Sequence, residues 1–176
     1  MKYTMPLLFA LFLVRCDSPN SHFLSKFNNK ESDKYVVEID TTDLSILLAT
    51  NEVNQPVYNV RHKYYYGYKK KLENDLYLVS YMDSYVPLNG GTNRLLNWYD
   101  IFECIYDCQK NTVTSKLRIW SSEPILSSYS VHQGIYTIKS MYNITLYDGK
   151  SERNHTVTKY LINKYIIKGN KYICIK

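Results

Sequence analysis

Short segments rich in apolar residues, many of them alternating with polar ones, recur from residue 34 to the end of the chain. At 76–82 and 134–147 the alternation has a period of two, which places successive side chains on opposite faces of a β-strand. Tyrosine, isoleucine and valine favour strands and supply most of the apolar positions. The pattern predicts strands at 34–40, 43–49, 57–68, 76–82, 113–120, 134–147, 155–168 and 172–175. The leucines of 43–49 also suit a helical turn.

The spacing of apolar residues changes after the turn sequence at 87–91 (PLNGG). Apolar residues then recur at spacings of three and four, as on one face of a helix, at Leu95, Trp98, Tyr99, Phe102, Ile105 and Tyr106. Asn93 can cap such a helix. We therefore predict one short amphipathic α-helix at 93–108, with Asn97, Asp100, Glu103 and Asp107 on its polar side.

Seven or eight strands with turns at roughly regular spacing and a single short helix predict a mostly β protein. The expected architecture is a two-sheet antiparallel β-sandwich, immunoglobulin-like or cup-shaped, forming one domain at 34–176. Residues 17–33 are polar without periodicity, so we expect a flexible N-terminal arm there. Residues 121–133 include Pro124 and are expected to form a loop.

The N-terminus has the features of a cleavable secretory signal peptide at 1–16. Lys2 gives it a positive start, and the apolar run at 5–14 is ten residues long, too short to span a bilayer. Cleavage before Asp17 is expected, because Val14 and Cys16 are small enough for the positions that a signal peptidase reads. The alternative is a lipoprotein signal that acylates Cys16, and Arg15 directly before it argues against that. We predict a secreted protein that is not transmembrane.

Glycosylation and disulfide bonding are both expected of an exported chain. Asn143 and Asn154 each begin an Asn-x-Thr sequon. Without the leader, Cys104, Cys108 and Cys174 remain, an odd number that predicts one disulfide and either a free thiol or an intermolecular bridge. On a helix Cys104 and Cys108 would be poorly placed to bond each other, so we expect Cys174 to join one of them.

The basic excess is modest and spread along the chain. The formal charge is +6, and loss of Lys2 and Arg15 with the leader leaves twenty basic residues against sixteen acidic ones, about +4. The densest basic run, at 69–71, follows tyrosines, a combination that can bind single-stranded nucleic acid. In a secreted protein we favour a solvated strand end or hairpin tip and expect no nucleic-acid partner. Weak attraction to an acidic partner or a membrane surface stays open.

No arrangement of residues indicates catalysis. The four histidines, His22, His62, His132 and His155, are scattered, and the sequence has no P-loop, nucleophile elbow or dinucleotide-binding glycine motif. On a helix the carboxylates of Glu103 and Asp107 would form a solvated side, and their spacing matches no metal site. We predict a protein that is not an enzyme and needs no metal or cofactor.

Four large aromatic residues are the candidate ligand-binding positions. Trp98, Phe102 and Tyr106 form a stripe on the predicted helix, and Trp120 ends a predicted strand. Packing of the helix against a sheet is the simpler interpretation of this stripe. The alternative is the lining of a cavity, because large aromatic side chains supply apolar area together with a polar group.

Some short motifs resemble those of a family of secreted insect proteins. The segment 75–82 is followed by Leu88-Asn89-Gly90, an aromatic stretch and then Asp100 and Cys104 in an Asp-x-x-x-Cys motif. A Gly-x-Tyr-x-Ile strand follows at 134–138. This order resembles the CheB chemosensory proteins, which are similar to the ganglioside activator protein and the ML lipid-recognition superfamily. The chain departs from that family at 111–120, which lacks the usual Cys-Pro pair.

The resemblance implies a β-sandwich whose sheets part at one end to hold a hydrophobic small molecule, such as a lipid or pheromone-like compound. A second hypothesis needs no resemblance. A secreted factor of this size, of the viral immune-modulator or salivary-effector type, can bind a host protein through a β-sheet surface with tyrosines as anchors. An apolar cavity of several hundred Å³ would favour the first hypothesis, and a closed core with an exposed apolar patch would favour the second.

Overall fold

A computed structural model describes residues 20–31, 35–49, 62–85, 98–122, 126–149 and 153–175. Within these ranges the chain forms two short helices and eight strands. They are α1 (Asn20–Ser25), α2 (Thr41–Leu48), β1 (His62–Lys71), β2 (Leu76–Tyr85), β3 (Trp98–Asp107), β4 (Thr112–Ser121), β5 (Leu126–His132), β6 (Ile135–Asp148), β7 (Arg153–Lys168) and β8 (Lys171–Ile175). The predicted signal peptide at 1–16 lies outside the described residues.

The strands form two antiparallel sheets, which confirms the predicted mostly β fold with two sheets. Sheet 1 has the order β1-β2-β3-β4, and sheet 2 has the order β5-β6-β7-β8. Each sheet is a meander, because every strand pairs with the next one along the chain. Gln133 and Gly134, with φ of 49° and 75°, form the two-residue turn between β5 and β6, the conformation that a tight hairpin requires.

One face of sheet 1 is covered by the N-terminal segment. Phe23, Leu24 and Phe27 pack there together with Leu47 of α2. Their partners in sheet 1 are buried residues of all four strands, namely Tyr66, Val79, Tyr81, Phe102, Cys104, Tyr106 and Val113. The expected flexible arm at 17–33 is therefore wrong for its described part, because three apolar side chains within five residues complete this core.

The other face of sheet 1 packs on sheet 2. Leu117 and Ile119 of β4 meet Tyr136 and Ile138 of β6. A neighbouring cluster formed by Tyr68, Leu78 and Ile105 reaches Ile167 and Tyr172 of sheet 2. Sheet 1 is thus the middle of three layers, with a helical layer on one side and sheet 2 on the other.

The predicted helix at 93–108 is wrong over its described part, because Trp98–Asp107 is strand β3. The strand lies inside the middle layer and is buried on both faces, with every residue from Phe102 to Asp107 buried. A strand buried on both faces has no alternation, and a chance spacing of three and four then resembles a helical stripe. Residues 93–97 lie outside the described residues.

Three further element predictions also need correction. Residues 43–48 belong to α2, which is the helical alternative to the predicted strand. The start of α2 is capped by Asp40 Oδ1, which accepts from the Asp43 backbone N–H at 2.9 Å. In 35–40 the structure has only an isolated bridge between Glu38 and Tyr65 instead of a strand. The loop expected at 121–133 contains β5, whose Leu126–His132 pairs with β6. Serines at 127, 128 and 130 gave that strand a polar appearance.

Candidate functional site

Sheet 2 extends beyond sheet 1. Strands β6 and β7 are 14 and 16 residues long, against 10 for each strand of sheet 1. On one side β5 pairs with β6 only as far as Met141, and on the other β8 pairs with β7 only from Lys164 onward. Beyond Met141 and Tyr160, β6 and β7 continue as a two-stranded ribbon, which we call the ribbon (142–148 and 153–159).

The side of sheet 2 that faces away from sheet 1 is identified by alternation along the strands. Tyr136 and Ile138 point into the interface with sheet 1, so their immediate neighbours on β6 point outward. Cross-strand partners share a face, which extends the assignment to β7 and β8. The outer face is defined as Ile135, Thr137, Lys139, Met141, Tyr160, Ile162, Lys164, Ile166, Lys168, Lys171, Ile173 and Ile175.

Exposed apolar side chains are concentrated on sheet 2. Among the described residues, eight of the eleven large apolar side chains that are exposed belong to β5–β8, namely Val131, Leu146, Tyr147, Val157, Tyr160, Leu161, Ile162 and Ile173. On the outer face Tyr160 is 57%, Ile162 56% and Ile173 40% exposed. Single exposed apolar residues are common on soluble proteins, but a cluster on one sheet is typical of an interaction surface.

The same sheet is strongly basic. Strands β5–β8 contain Lys139, Arg153, Lys159, Lys164, Lys168 and Lys171 against one acidic residue, Asp148, a net charge of +5. Four of these lysines lie on the outer face, which has no acidic residue. The Lys139 ammonium lies 4.2 Å from the ring centroid of Tyr160, a cation–π contact that holds a positive charge over an exposed aromatic ring.

A carboxylate joins the two sheets on the opposite side of sheet 2. Glu103 of β3 is fully buried and accepts hydrogen bonds from three tyrosine hydroxyls. Tyr68 of sheet 1 and Tyr129 of β5 donate to Oε1, the second at 2.9 Å, and Tyr172 of β8 donates to Oε2 at 3.0 Å. The expectation that Glu103 lies on a solvated helical side is therefore wrong.

The electrostatics of this cluster favour a structural role. Burial raises the pKa of Glu103, although the hydrogen bonds from Tyr68, Tyr129 and Tyr172 act in the opposite direction. The pKa values of the three tyrosines are also raised, first by burial and then by the neighbouring carboxylate. The tyrosines therefore keep their protons and act as donors, and the cluster fastens both edge strands of sheet 2 to the middle layer.

A small cleft opens between the sheets. It has a volume of about 220 Å³ and is lined by Leu117, Arg118, Ser121, Ile138, Ser140, Asn163 and Tyr165. This is below the range of roughly 300–1,000 Å³ typical of small-molecule sites, and about half of the lining residues are polar. None of the four predicted ligand-binding aromatics lines this cleft.

Those four aromatics are not gathered at one place. Phe102 is buried in the core and stacks on Tyr81 at 5.1 Å, and Tyr106 is buried against Phe23. Trp98 lies edge-on to Tyr85, and Trp120 stacks on Tyr99 at 4.5 Å between ring centroids. Phe102 and Tyr106 therefore pack in the core, although from a strand and not from the predicted helix.

The predicted disulfide is wrong, because Cys174, which was expected to join Cys104 or Cys108, is a free thiol in the structure, and so is Cys104. Cys104 is fully buried on the face of sheet 1 that the helices cover. Cys174 lies on β8, paired with Tyr165, on the other side of sheet 1. A middle layer of backbone therefore separates these two sulfur atoms, and a disulfide cannot cross it.

The two sequons both fall on the ribbon. Asn143 is exposed on β6, where its Oδ1 accepts from the Thr158 hydroxyl at 2.8 Å. Asn154 pairs with Tyr147 near the end of the ribbon. The lysine run at 69–71 ends β1, as expected for a strand end. Glycosylation itself stays a prediction.

His62 of β1 lies beside a carboxylate of β2. Its Nδ1 is 2.8 Å from Asp83 Oδ1, and its ring stacks on Tyr64 and Tyr85. Among the described residues, no group of three His, Cys, Asp or Glu side chains is arranged to hold a metal ion. In the same ranges, neither helix is long and apolar enough to cross a bilayer.

Sequence reasoning did not identify the two features that now stand out. The outer face could have been found, because β7 carries apolar residues at both odd and even positions from 160 to 167 while remaining lysine-rich. No sequence signal marks Glu103 as the carboxylate that the tyrosines surround. Comparisons of the chain with protein-family models, curated proteins and solved structures found no match.

Proposed function

We propose that this chain is a non-enzymatic binding protein that docks an acidic protein through the outer face of sheet 2. The observation that carries the proposal is the coincidence of exposed isoleucines and tyrosine with four lysines and no carboxylate on one sheet face. In the extracellular setting that the leader predicts, this corresponds to the interaction-factor hypothesis.

The apolar part of the face supplies the driving force. Ile162 and Ile173 keep about half of their surface in water. Ile166 on β7 pairs with Ile173 on β8 and with Ile135 on β6, so these three isoleucines form a row across the outer face. Covering such side chains gains roughly 25 cal/mol per Å² of apolar area removed from water. An apolar centre surrounded by charged groups is the usual composition of a protein interface.

The charge of the face selects the partner. A sheet with a net charge of +5 attracts an acidic surface over about a Debye length and repels another basic one. Two copies of this chain would bring eight outer-face lysines together with no carboxylate between them. Self-association through this face is therefore disfavoured, and an acidic partner is favoured.

A pair of double variants tests the proposal. Ile162→Asp with Ile173→Asp places two negative charges in the outer face, whereas Val36→Asp with Val37→Asp makes the same change at exposed valines elsewhere. Wild type and both variants are immobilised and exposed to extracellular fluid, and retained proteins are quantified by mass spectrometry. We expect acidic proteins retained by wild type and by the valine control but lost with the isoleucine variant. Identical retention by all three would contradict the proposal.

The test is completed with one purified retained protein. Its Kd for wild type should increase steeply with added salt, because four lysines attract the acidic partner. The double variant Lys139→Glu with Lys164→Glu should bind more weakly than wild type at the same salt concentration. Lys70→Glu, at an exposed position on β1, should have little effect.

A second candidate function rests on the cleft between the sheets. Its apolar members, Leu117, Ile138 and Tyr165, would contact a small hydrophobic molecule bound in this cleft. Ser140→Phe would fill this space. Organic extraction and mass spectrometry of the purified protein should recover a ligand from wild type and less from this variant. Recovery of none from wild type, with no binding of a hydrophobic dye, would exclude the carrier function.

A further inference from the structure

The longest strand of sheet 2 has an open edge. Strand β7 runs over Arg153–Lys168, yet β8 pairs only with Lys164 to Lys168. Within the described part of the chain, residues 153–163 have β6 on one side and no strand on the other. This stretch contains no proline, and valine, threonine, tyrosine, leucine and isoleucine make up most of it. Natural proteins usually protect such an edge, or use it.

The backbone groups that point to the open side can be identified. Lys168 and Lys171 close a two-residue turn, so they form a hydrogen-bonded pair and the backbone N–H and C=O of Lys168 point toward β8. Along a strand, the backbone N–H and C=O of successive residues point alternately to one neighbouring strand and to the other. The backbone groups of Thr158, Tyr160 and Ile162 therefore point to the same side as those of Lys168, where β8 has ended.

The opposite hairpin gives the same assignment independently. His132 and Ile135 close the turn between β5 and β6, so the backbone groups of Ile135 hydrogen-bond to β5. Because the direction alternates, the backbone groups of Ile138, three residues further on, hydrogen-bond to β7. Its partner on β7 is Asn163, which therefore directs its backbone groups to β6. The even-numbered residues of β7 are left facing the open edge.

Apolar and basic side chains flank this edge, together with neutral polar ones such as Thr158. Tyr160 and Ile162 project from the outer face, while Val157 and Leu161 project from the other side, and all four are exposed. Lys159 and Lys164 lie on the same strand, Lys139 lies over Tyr160, and no acidic side chain is described beside them. A strand that added here would meet apolar surface and positive charge on both of its faces.

We infer that β7 accepts an extended segment of the partner as an additional antiparallel or parallel strand, with carboxylates alternating with apolar side chains. The inference rests on the proposed function and gives the partner a chemical form. Unpaired backbone groups at Thr158, Tyr160 and Ile162 would supply the hydrogen bonds, and the lysines would select acidic segments. A second copy of the chain would add more lysines to the same edge.

Amide hydrogen exchange followed by NMR on the full chain tests the inference. The probe is a synthetic peptide of alternating glutamate and valine, about eight residues long, the length of an ordinary strand. We expect it to slow exchange of the Thr158, Tyr160 and Ile162 amides by about tenfold or more. The amides of Val157, Lys159 and Leu161 already bond to β6 and should change little. A peptide of alternating lysine and valine should protect none of them.

Two variants at one position provide the matched control. Thr158→Pro removes a backbone N–H that points to the open side, and Thr158→Ala removes the same hydroxyl contact with Asn143 but keeps the N–H. The proline variant should lose the protection at Tyr160 and Ile162, and the alanine variant should retain it. Equal protection by both peptides, or no protection by either, overturns the inference.

The remaining outcomes separate this inference from the proposed function. Protection of the edge amides that grows with protein concentration in the absence of peptide would identify a second copy as the occupant and overturn an acidic partner segment. If no peptide protects the edge while the outer-face variants still lose binding, the edge inference fails alone. If the outer-face variants bind unchanged, the proposed function fails.

Discussion

Tyr129 of sheet 2 donates its hydroxyl hydrogen to Glu103 of sheet 1 across the interface between the sheets, at 2.9 Å from Oε1. Tyr172 makes the equivalent bond to Oε2 from the other edge strand of sheet 2. A single buried carboxylate therefore holds both edges of one sheet against the centre of the other. This arrangement has consequences for stability that can be measured.

Glu103→Gln should change how stability depends on pH. Burial raises the pKa of Glu103 in the folded state, so the folded protein binds the proton more tightly than the unfolded chain does. The stabilisation from this proton is fully present below the unfolded pKa of about 4.3 and is lost as the pH rises through the raised folded value. Glutamine cannot titrate, so the variant lacks this pH-dependent contribution to the free energy of unfolding.

Urea unfolding from pH 4 to pH 8 measures the effect. The free energy of unfolding of wild type minus that of Glu103→Gln should fall as the pH rises. Glu38→Gln, at an exposed carboxylate, serves as the control and should show no comparable trend. A difference that stays constant, or that grows with pH, would be inconsistent with a raised pKa at Glu103.

Tyr172→Phe should destabilise the protein because it removes a donor from a buried carboxylate. A hydrogen bond to a charged group contributes roughly 1.5–3 kcal/mol, and we expect a loss of about that size at neutral pH. The bond stabilises the ionised form, so its removal should raise the pKa of Glu103 further and the loss should shrink in acid. Tyr160→Phe, at an exposed ring, is the matched control. Equal effects of the two variants would show that the bond to Glu103 contributes little.

Gly67→Ala should destabilise the fold through a steric clash. A Cβ at residue 67 would overlap the Ser80 hydroxyl and the Tyr35 ring, and would lie 2.8 Å from the Ser80 backbone oxygen. The backbone oxygen cannot rotate away, so β1 would have to move from β2, at a cost of roughly 1–3 kcal/mol. Gly149→Ala, whose added Cβ would meet nothing nearer than 4.0 Å, should leave the melting temperature almost unchanged. Similar melting temperatures for both variants would refute the close approach.

Phe23→Ala tests whether the N-terminal segment belongs to the core. Phe23 is 3% exposed and packs against the rings of Phe27 and Tyr106, so its truncation should cost about 3–5 kcal/mol in chemical denaturation. Val36→Ala, at a valine that is 69% exposed, should cost little. A flexible arm would make the two variants indistinguishable.

The three thiols should differ in their rate of alkylation. Cys174 is exposed and should react with iodoacetamide in the folded protein. Cys104 is fully buried, and burial raises its pKa to about 12, so it should react only after unfolding. Peptide mapping by mass spectrometry after a short pulse of reagent measures this. Fast reaction of Cys104 without denaturant, or recovery of a disulfide between Cys104 and Cys174, would contradict the layered arrangement.

Strands β2, β4, β6 and β7 were predicted near their observed positions. In β4 and in the first half of β6, buried side chains alternate with more exposed ones, which is the pattern that identifies a strand. Strand β2 has buried residues on both faces and was predicted from its strand-favouring residues. Strand β3 was not predicted, since burial on both faces removes the alternation that identifies a strand. The helical period assigned to residues 93–108 also led to the wrong prediction that Glu103 is exposed to solvent.

The candidate site depended on information that a linear pattern does not contain. The outer face needs the register of three strands before its isoleucines and lysines are seen to be neighbours. The open edge of β7 depends on where β8 ends relative to it. The buried helical segment at 20–31 was missed because only three of its residues, Phe23, Leu24 and Phe27, are large and apolar, and polar residues separate the last from the others.

The meander order of the strands allows sheet 1 to form without sheet 2. Because every strand pairs with its neighbour along the chain, sheet 1 can assemble while the residues of sheet 2 are still being synthesised. Until then Glu103 lies on an uncovered face and stays hydrated and ionised. Docking of sheet 2 removes this water and raises the pKa of Glu103, so the association of the two sheets is coupled to proton uptake and is favoured by acid.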